Sequence, residues 1–325
     1  MSGVAPGLDE RSADVVVLAE SREVAGRTQW QLFWERFRED RVALVALGFV
    51  GAEIVVAVFA PVIVGAIAHP PNAQYPEALD PMFGTPTGPS TTFFFGVDPL
   101  GQDVFSRVLY GARVSLEVAI IATFFSVLTG VAFGMTAGYY RGFADTAISR
   151  FIDVMLAFPV LLLALGIASA CSIGGGCAAG LVQPGLTTVI VTIVVINWTY
   201  IGRIIRGQVL SLREKEFIES ARASGAKDRT ILFREILPNL VAPIIVYGTI
   251  LIPQNIIYEA ALSFLGVGVD PSTPSWGAMI SDATSIFREA WWFMTFPGLA
   301  LLLTVLAFNL VGDGLQDALN PRTSK

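Results

Sequence analysis

Side chains able to do chemistry are few in this sequence, and their spacing excludes most reactions. The 325 residues contain one histidine, His69, two cysteines, Cys171 and Cys177, and three lysines, Lys215, Lys227 and Lys325. No lysine closes a G-x-x-x-x-G-K-[ST] loop, so the chain lacks that cradle of backbone N–H groups for nucleotide phosphates. A single histidine cannot supply the two imidazoles of H-E-x-x-H, and His69 stands beside two prolines with no serine and aspartate arranged for acyl transfer. An aspartyl protease working inside a membrane needs two aspartates within apolar runs, whereas Asp153 and Asp313 fall at the ends of such runs. The cysteines lie six residues apart in CSIGGGC, where a disulfide closing a small glycine-rich loop and two reduced thiols are both open readings. Two thiols are too few for a metal site.

What remains is polarity in apolar surroundings. Glu53, Glu117, Asn197, Asn255, Glu259 and Asn309 interrupt long hydrophobic stretches. A polar group facing lipid is costly, so each must face protein or a water-filled path. Asn255, Glu259 and Asn197 are the candidates for a translocation path. Asn197 and Asn309 equally suit gluing helices together, and Glu117 stands four residues from Arg113, the spacing of a local ion pair. Glu259 precedes ALSFLGVGVDPSTPSWG, whose glycines and prolines imply irregular backbone near the membrane, tolerated only where protein or a cavity covers it.

The elements that position these residues follow from composition. The chain is 54% hydrophobic and 15% charged, with a mean hydropathy of +0.64. That is the profile of an all-α membrane protein. Six stretches reach the roughly twenty apolar residues a spanning helix needs: 42–67, 114–138, 151–170, 186–205, 240–262 and 291–311. Ahead of them, residues 1–28 read as a disordered polar tail. Residues 29–41 place Trp30, Phe33, Trp34 and Phe37 on one face of an amphipathic helix suited to the membrane interface, or to packing on a partner subunit. The first apolar run begins too far from the start for a usual secretory signal, so it is expected to stay as a span. Residues 69–113 read as an extended loop whose last part leads amphipathically into the second span.

Six spans put both termini on one side of the bilayer. With that side inside, the inner segments carry six, two, eight and two Lys or Arg, leaving only Arg107, Arg113 and Arg288 of the 21 outside. The asymmetry places the termini and the segment 212–239 in the cytoplasm. With basic residues scattered over short loops and a net charge of -6, a nucleic-acid surface is excluded.

The segment EFIESARASGAKDRTILFREILPN, residues 216–239, is the most polar interruption of the second half. It reads as two short helices pivoting at Gly225. Phe217, Ala221 and Ser224 share a face of the first, Ile231, Leu232 and Ile236 stripe the second, and Pro238 is expected to end it. Too short to fold alone, such a hairpin needs a partner to dock against.

At Glu219-Ser-Ala-Arg-Ala-Ser-Gly225 followed by Ile236-Leu-Pro-Asn239, the segment closely resembles the cytoplasmic "EAA" loop of ABC-importer permeases. The stretches GVDPLGQDVFSRVLYGARVSL, GYYRGFADTAISRFIDVMLAFP, EAALSFLGVGVDPSTPSWG and NLVGDGLQDALNP resemble the C-type permease of dipeptide and oligopeptide importers, in the family's order. Ser220 replaces the family's first alanine, Glu235 its usual isoleucine, and Gln102 stands where arginine is more common.

The resemblance implies a type I importer permease fold over residues 42–325, with its core at 112–321. It implies a bacterial inner membrane location and a non-catalytic role. The implied partners are a homologous B-type permease, two ATPases that bind ATP and magnesium in place of this chain, an extracytoplasmic solute-binding protein and a peptide substrate. Glu219, Ala221, Gly225, Ile236, Leu237 and Pro238 would form the element coupled to an ATPase. Nickel, glutathione, haem and sugars are alternative cargoes of similar permeases. A self-contained channel or membrane enzyme is the reading from another class, opposed by the missing nucleotide loop.

Overall fold

The computed structural model of the protein describes residues 29–319, apart from 174, 175, 178, 179 and 271. The expected tail, 1–28, lies outside the described residues. The elements are α1 (Gln29–Glu39), α2 (Arg41–Ile67), α3 (Val104–Tyr140), α4 (Gly142–Ala157), α5 (Val160–Ile173), α6 (Leu186–Arg213), α7 (Glu216–Ala223), α8 (Asp228–Phe264), α9 (Trp276–Ala283) and α10 (Trp291–Leu319). Five of these are long and apolar enough to cross a membrane.

The sixth expected span is not one rod. Residues 151–170 divide between α4 and α5, which meet at 95°. Pro159 explains the break: it lacks an N–H, and its ring pushes the preceding residue out of the helical region. Phe158 is accordingly extended, at φ -85° and ψ 143°. The second span begins earlier than expected. Asp103 caps α3 by accepting from the N–H of Phe105 at 3.1 Å, so the amphipathic lead from Val104 is the span's own first turns.

The centre of the molecule is the pair α3 and α6. Gly130, Gly134 and Gly138 recur every four residues along α3, and α6 lies directly on them. A Cβ added at Gly134 would stand 2.7 Å from the carbonyl oxygen of Gly202, and one at Gly138 would stand 2.8 Å from Cβ of Val209. Small residues at this spacing let two backbones approach where lipid gives helices no hydrophobic reason to associate. Around this pair, α8 and α10 pack on α3, and α2 closes the bundle through Ala43, Ala46, Val50, Ala57, Ala60 and Val64.

At the cytoplasmic-side end proposed from the charge pattern, Asp40 starts α2 by accepting from Val42 and Ala43 N–H. Phe37 of α1 is buried with Ala43 and Ala318 while Trp34 stays half exposed. The amphipathic helix thus uses part of its aromatic face against α10.

At the opposite end, residues 68–103 form a folded cap. His69 sits against Tyr75 and Phe93, with ring centroids 4.9 and 4.6 Å away, and its backbone N–H donates to Asp103. Trp292 of α10 donates to the carbonyl of Val97, and Trp276 of α9 donates to that of Val108. The two indoles tie cap, α3, α9 and α10 into one body.

Candidate coupling hairpin and intramembrane polar ladder

The hairpin closes at Gly225. This glycine takes φ +79°, its N–H reaches the carbonyl of Arg222 at 2.9 Å, and the N–H of Ala226 reaches that of Ala221 at 3.0 Å. That pair of bonds is the Schellman ending, which satisfies the carbonyls a helix terminus leaves free. Its left-handed residue needs glycine, because a Cβ is strained there. Beyond the turn the chain does not make a second short helix ended by Pro238. Residues Asp228–Phe264 run as one helix, α8, with a π-helical turn over Ile231–Ile236. The wide turn is where the proline fits: Pro238 has no N–H to donate, and the N–H of Leu237 bonds back to Leu232, five residues earlier.

The hairpin's inner face differs from the stripe expected for its first helix. Ile218 is the buried anchor, Ala221 is half buried, and Phe217 and Ser224 face outward. Ile218, Ile231, Leu232 and Ile236 pack with Met135 and Tyr139 of α3 and with Ile205 and Val209 of α6. Tyr139 holds the base of the hairpin. Its hydroxyl donates to Asp228 at 2.7 Å, its carbonyl accepts from Arg213, and the guanidinium of Arg222 lies over its ring at 5.4 Å. On the same side α4 is clasped to α6: Arg206 donates to both oxygens of Asp145, at 2.5 and 3.0 Å, and Arg203 donates to Asp153 at 2.6 Å.

Within the bundle the expected path residues form a ladder. Asn197 of α6 donates to Asn255 of α8 at 2.5 Å, and Asn255 donates to Thr123 of α3 at 2.8 Å. One turn further along α8, Glu259 accepts from Ser115 of α3 at 2.7 Å and from Ser263 at 2.8 Å, and it also bonds Ser275, the residue that caps α9. Asn255 and Glu259 are fully buried. Asn197 borders a cavity of about 310 Å³ shared with Tyr200, Gln254 and Tyr258. In this packing Asn255 and Glu259 cross-link four helices. Glu53 of α2 likewise spends an oxygen on Thr304 of α10, at 2.5 Å.

Comparison with known proteins decides what kind of molecule carries these features. Residues 130–325 match the family model described as "Binding-protein-dependent transport system inner membrane component". Residues 28–83 match that of the N-terminal TM domain of oligopeptide transport permease C. The chain belongs to the inner-membrane permeases of binding-protein-dependent transport systems. Relatives include the dipeptide transport system permease protein DppC of Alkalihalophilus pseudofirmus, 38% identical over 90% of each chain. The glutathione transport system permease protein GsiD of Pectobacterium atrosepticum is 40% identical over 96% of this chain and 97% of its own. GsiD of Escherichia coli O157:H7 is 43% identical over 91% of each.

Among solved structures, the inward-facing MetNI methionine ABC transporter aligns with a TM-score of 0.53 at 19% identity, over 66% of this chain and 96% of that one. An amino acid ABC transporter aligns at 0.50 and 16% identity, over 65% and 94%. These likenesses establish the importer permease fold.

In this permease the sequence-selected coupling residues divide by exposure. Glu219, Gly225 and Pro238 are exposed, Ala221 and Leu237 are half buried, and Ile236 is buried as part of the hairpin's base. Cys171 and Cys177 are joined in a disulfide at the end of α5. Residue-by-residue reading missed the permease's other working side chains. Ser115 and Thr123 look like unremarkable small residues in an apolar helix and Ser275 like one more polar residue of a loop, and only three-dimensional proximity reveals them as partners of Glu259 and Asn255. Tyr139 carried a weak signal, an aromatic followed by arginine at the end of a span, which is a position for interfacial anchoring.

Proposed function

We propose that the permease is one half of the membrane channel of an ATP-driven peptide importer, paired with a homologous permease. Its hairpin docks in a cleft of a cytoplasmic ATPase. Two such ATPases bind ATP and magnesium and hydrolyse the nucleotide, while an extracytoplasmic solute-binding protein delivers the cargo. Both termini lie in the cytoplasm, in keeping with the concentration of Lys and Arg on that side.

The observation that carries this reading is the division of the hairpin into two faces. Ile218, Ile231, Leu232 and Ile236 root it on α3 and α6, while Phe217, Glu219, Ser224 and Phe233 are exposed among the described residues. An exposed tip on a rigid base acts as a lever. Force applied at Gly225 reaches the central helix pair, and through it the ladder at Asn197 and Asn255, without the hairpin unfolding. Transport then follows from the ATPases favouring one packing of the spans over another, since a ligand shifts two states only by its differential affinity for them. Short peptides are favoured as cargo because relatives covering most of the chain are named for dipeptide and for glutathione, itself a tripeptide.

The test is Gly225→Asp in the complete transporter. The bulky, charged residue at positive φ should abolish peptide uptake and release of ATPase control while the subunit still reaches the membrane. Normal uptake would remove the coupling role. Cargo is read separately, by mass spectrometry of the ligand retained on the copurified binding protein: a metal or oligosaccharide there would replace the peptide reading.

A further inference from the structure

A second site lies at the end of the molecule away from the hairpin. The cap, the first turns of α3 and the segment between α9 and α10 enclose a pocket of about 640 Å³. Arg107, Asp98 and Asp282 line it, with Leu100 and Phe293 as an apolar wall and Ser281 and Ser285 also in its lining. The size is that of small-molecule sites, which combine apolar lining with a few placed polar groups.

Its charged groups are incompletely matched to one another. Arg107 is only 6% exposed, and its hydrogen bond among the described residues is from Nη1 to Gln102. Its Nε faces Asp98 at 3.7 Å, outside hydrogen-bond reach, and is buried without a partner. A buried guanidinium N–H left without an acceptor is costly, so Nε is a donor still to be matched. Asp98 has committed Oδ1 to the N–H groups of Leu100 and Gln102. Asp282 is within electrostatic reach of Arg107, yet no described residue hydrogen-bonds its carboxylate. The pocket therefore offers an unmatched guanidinium donor and an exposed, uncommitted carboxylate together, with one formal negative charge in excess. A simple anion meets that excess, and a simple cation leaves the Arg107 donor unmatched. A molecule carrying both charges satisfies both.

We propose that this pocket binds short zwitterionic peptides, taking the ammonium group at Asp282 and the terminal carboxylate or carbonyl at Arg107. The apolar wall of Leu100 and Phe293 receives the side chains. The permease would thereby hold cargo at its outer mouth by its own residues. This inference rests on the extracytoplasmic placement and the peptide cargo proposed above.

The test uses the complete permease and ATPase complex in nanodiscs without binding protein, titrated calorimetrically with trialanine and with N-acetyl-trialanine amide. Trialanine should bind saturably. The doubly blocked peptide, and trialanine on an Asp282→Asn complex, should bind about tenfold more weakly or worse, as expected for losing a charge-assisted hydrogen bond. Ser285→Trp, which fills the pocket from its exposed side, should abolish binding while the complex still assembles and copurifies. Absence of saturable binding, equal binding of the blocked peptide, or undiminished binding by the Ser285→Trp complex overturns the proposal. Uptake measured in parallel with binding protein present separates the two readings. Uptake without pocket binding sinks the pocket and leaves the importer, whereas pocket binding without uptake sinks the peptide cargo.

Discussion

At the scale of the residue, the most constrained group is Glu259, fully buried and held by hydroxyls from α3, α8 and the cap of α9. Glu259→Ala would leave Ser115, Ser263 and Ser275 facing a void. Serines on helices can turn back to the carbonyl four residues earlier, so part of the cost is recovered. The expected net loss is about 2–4 kcal/mol, from unsatisfied polar groups and lost contacts. The purified permease should melt several degrees lower, while Glu259→Gln, which keeps an acceptor and the volume, should stay near wild type. Equal melting of Glu259→Ala and wild type would show that the ladder does not hold the bundle.

A second residue, Asp98 in the cap, predicts a pH dependence. Burial pushes its carboxyl above the usual carboxylate range, against the opposing pull of the Gln102 N–H and Arg107, and burial moves the half-exposed Asp282 the same way. A raised folded-state pKa means the folded protein binds the proton more tightly. The contribution to stability is present below the ordinary pKa of about 3.9 and is lost as pH rises through the folded value. Proteolysis of the cap should therefore slow from neutral pH toward acid, and Asp98→Asn should flatten that slope. An unchanged slope in the variant would rule Asp98 out as its source. The sequence identified Glu259, Asn255 and Asn197 as unusual because polarity in an apolar run is visible in one dimension. Their partners were invisible, because Ser115 lies 144 residues from Glu259 and an isolated serine in a helix signals nothing.

At the scale of the element, the α3 and α6 seam sets what the chain tolerates. Gly134→Leu has no room: even its Cβ would stand 2.7 Å from a backbone oxygen of α6, so the helices must separate along their length. Overpacking costs typically about 1–3 kcal/mol where side chains can adjust, and backbone cannot. The expected result is loss of the subunit from the membrane fraction. Gly207→Leu on α6, where an added Cβ meets nothing within 4 Å, should accumulate normally. If both variants accumulate alike, the close approach is not what holds the pair.

Five of the six expected spans correspond to single unbroken helices because length and hydropathy suffice to specify a spanning element. Two of the misread points involve proline, with opposite outcomes. Pro159 breaks its element completely, whereas Pro238 is absorbed by a π-helical turn and the helix continues. Sequence shows that a proline removes a hydrogen bond. Whether neighbouring helices supply another is decided by packing, here the burial of Ile231 and Ile236 that keeps the chain helical through the turn.

At the scale of the whole molecule, the question is how movement of the hairpin reaches the spans. The hairpin continues directly into α8 and is rooted on α3 and α6, so it cannot tilt without moving all three. The bent pair α4 and α5 is joined to this unit on the hairpin side by the Asp145–Arg206 and Asp153–Arg203 clasp. Partly exposed ion pairs are worth only about 0–1 kcal/mol, so the clasp adds little to overall stability. It matters if it forms in one packing and opens in the other, because 1.4 kcal/mol is a tenfold change in the ratio of two states. Asp145→Arg places two guanidiniums against each other and should lower coupled uptake by about five- to tenfold. Melting temperature should move by little. The charge-swapped pair, Asp145→Arg with Arg206→Asp, rebuilds the attraction with the partners exchanged and should recover most of the uptake, and the double-mutant cycle reads the coupling directly. Failure of the swap to recover uptake, with the variant permease present in the membrane at its normal level, would mean that α4 and α5 follow the hairpin through their apolar contacts with α6 instead.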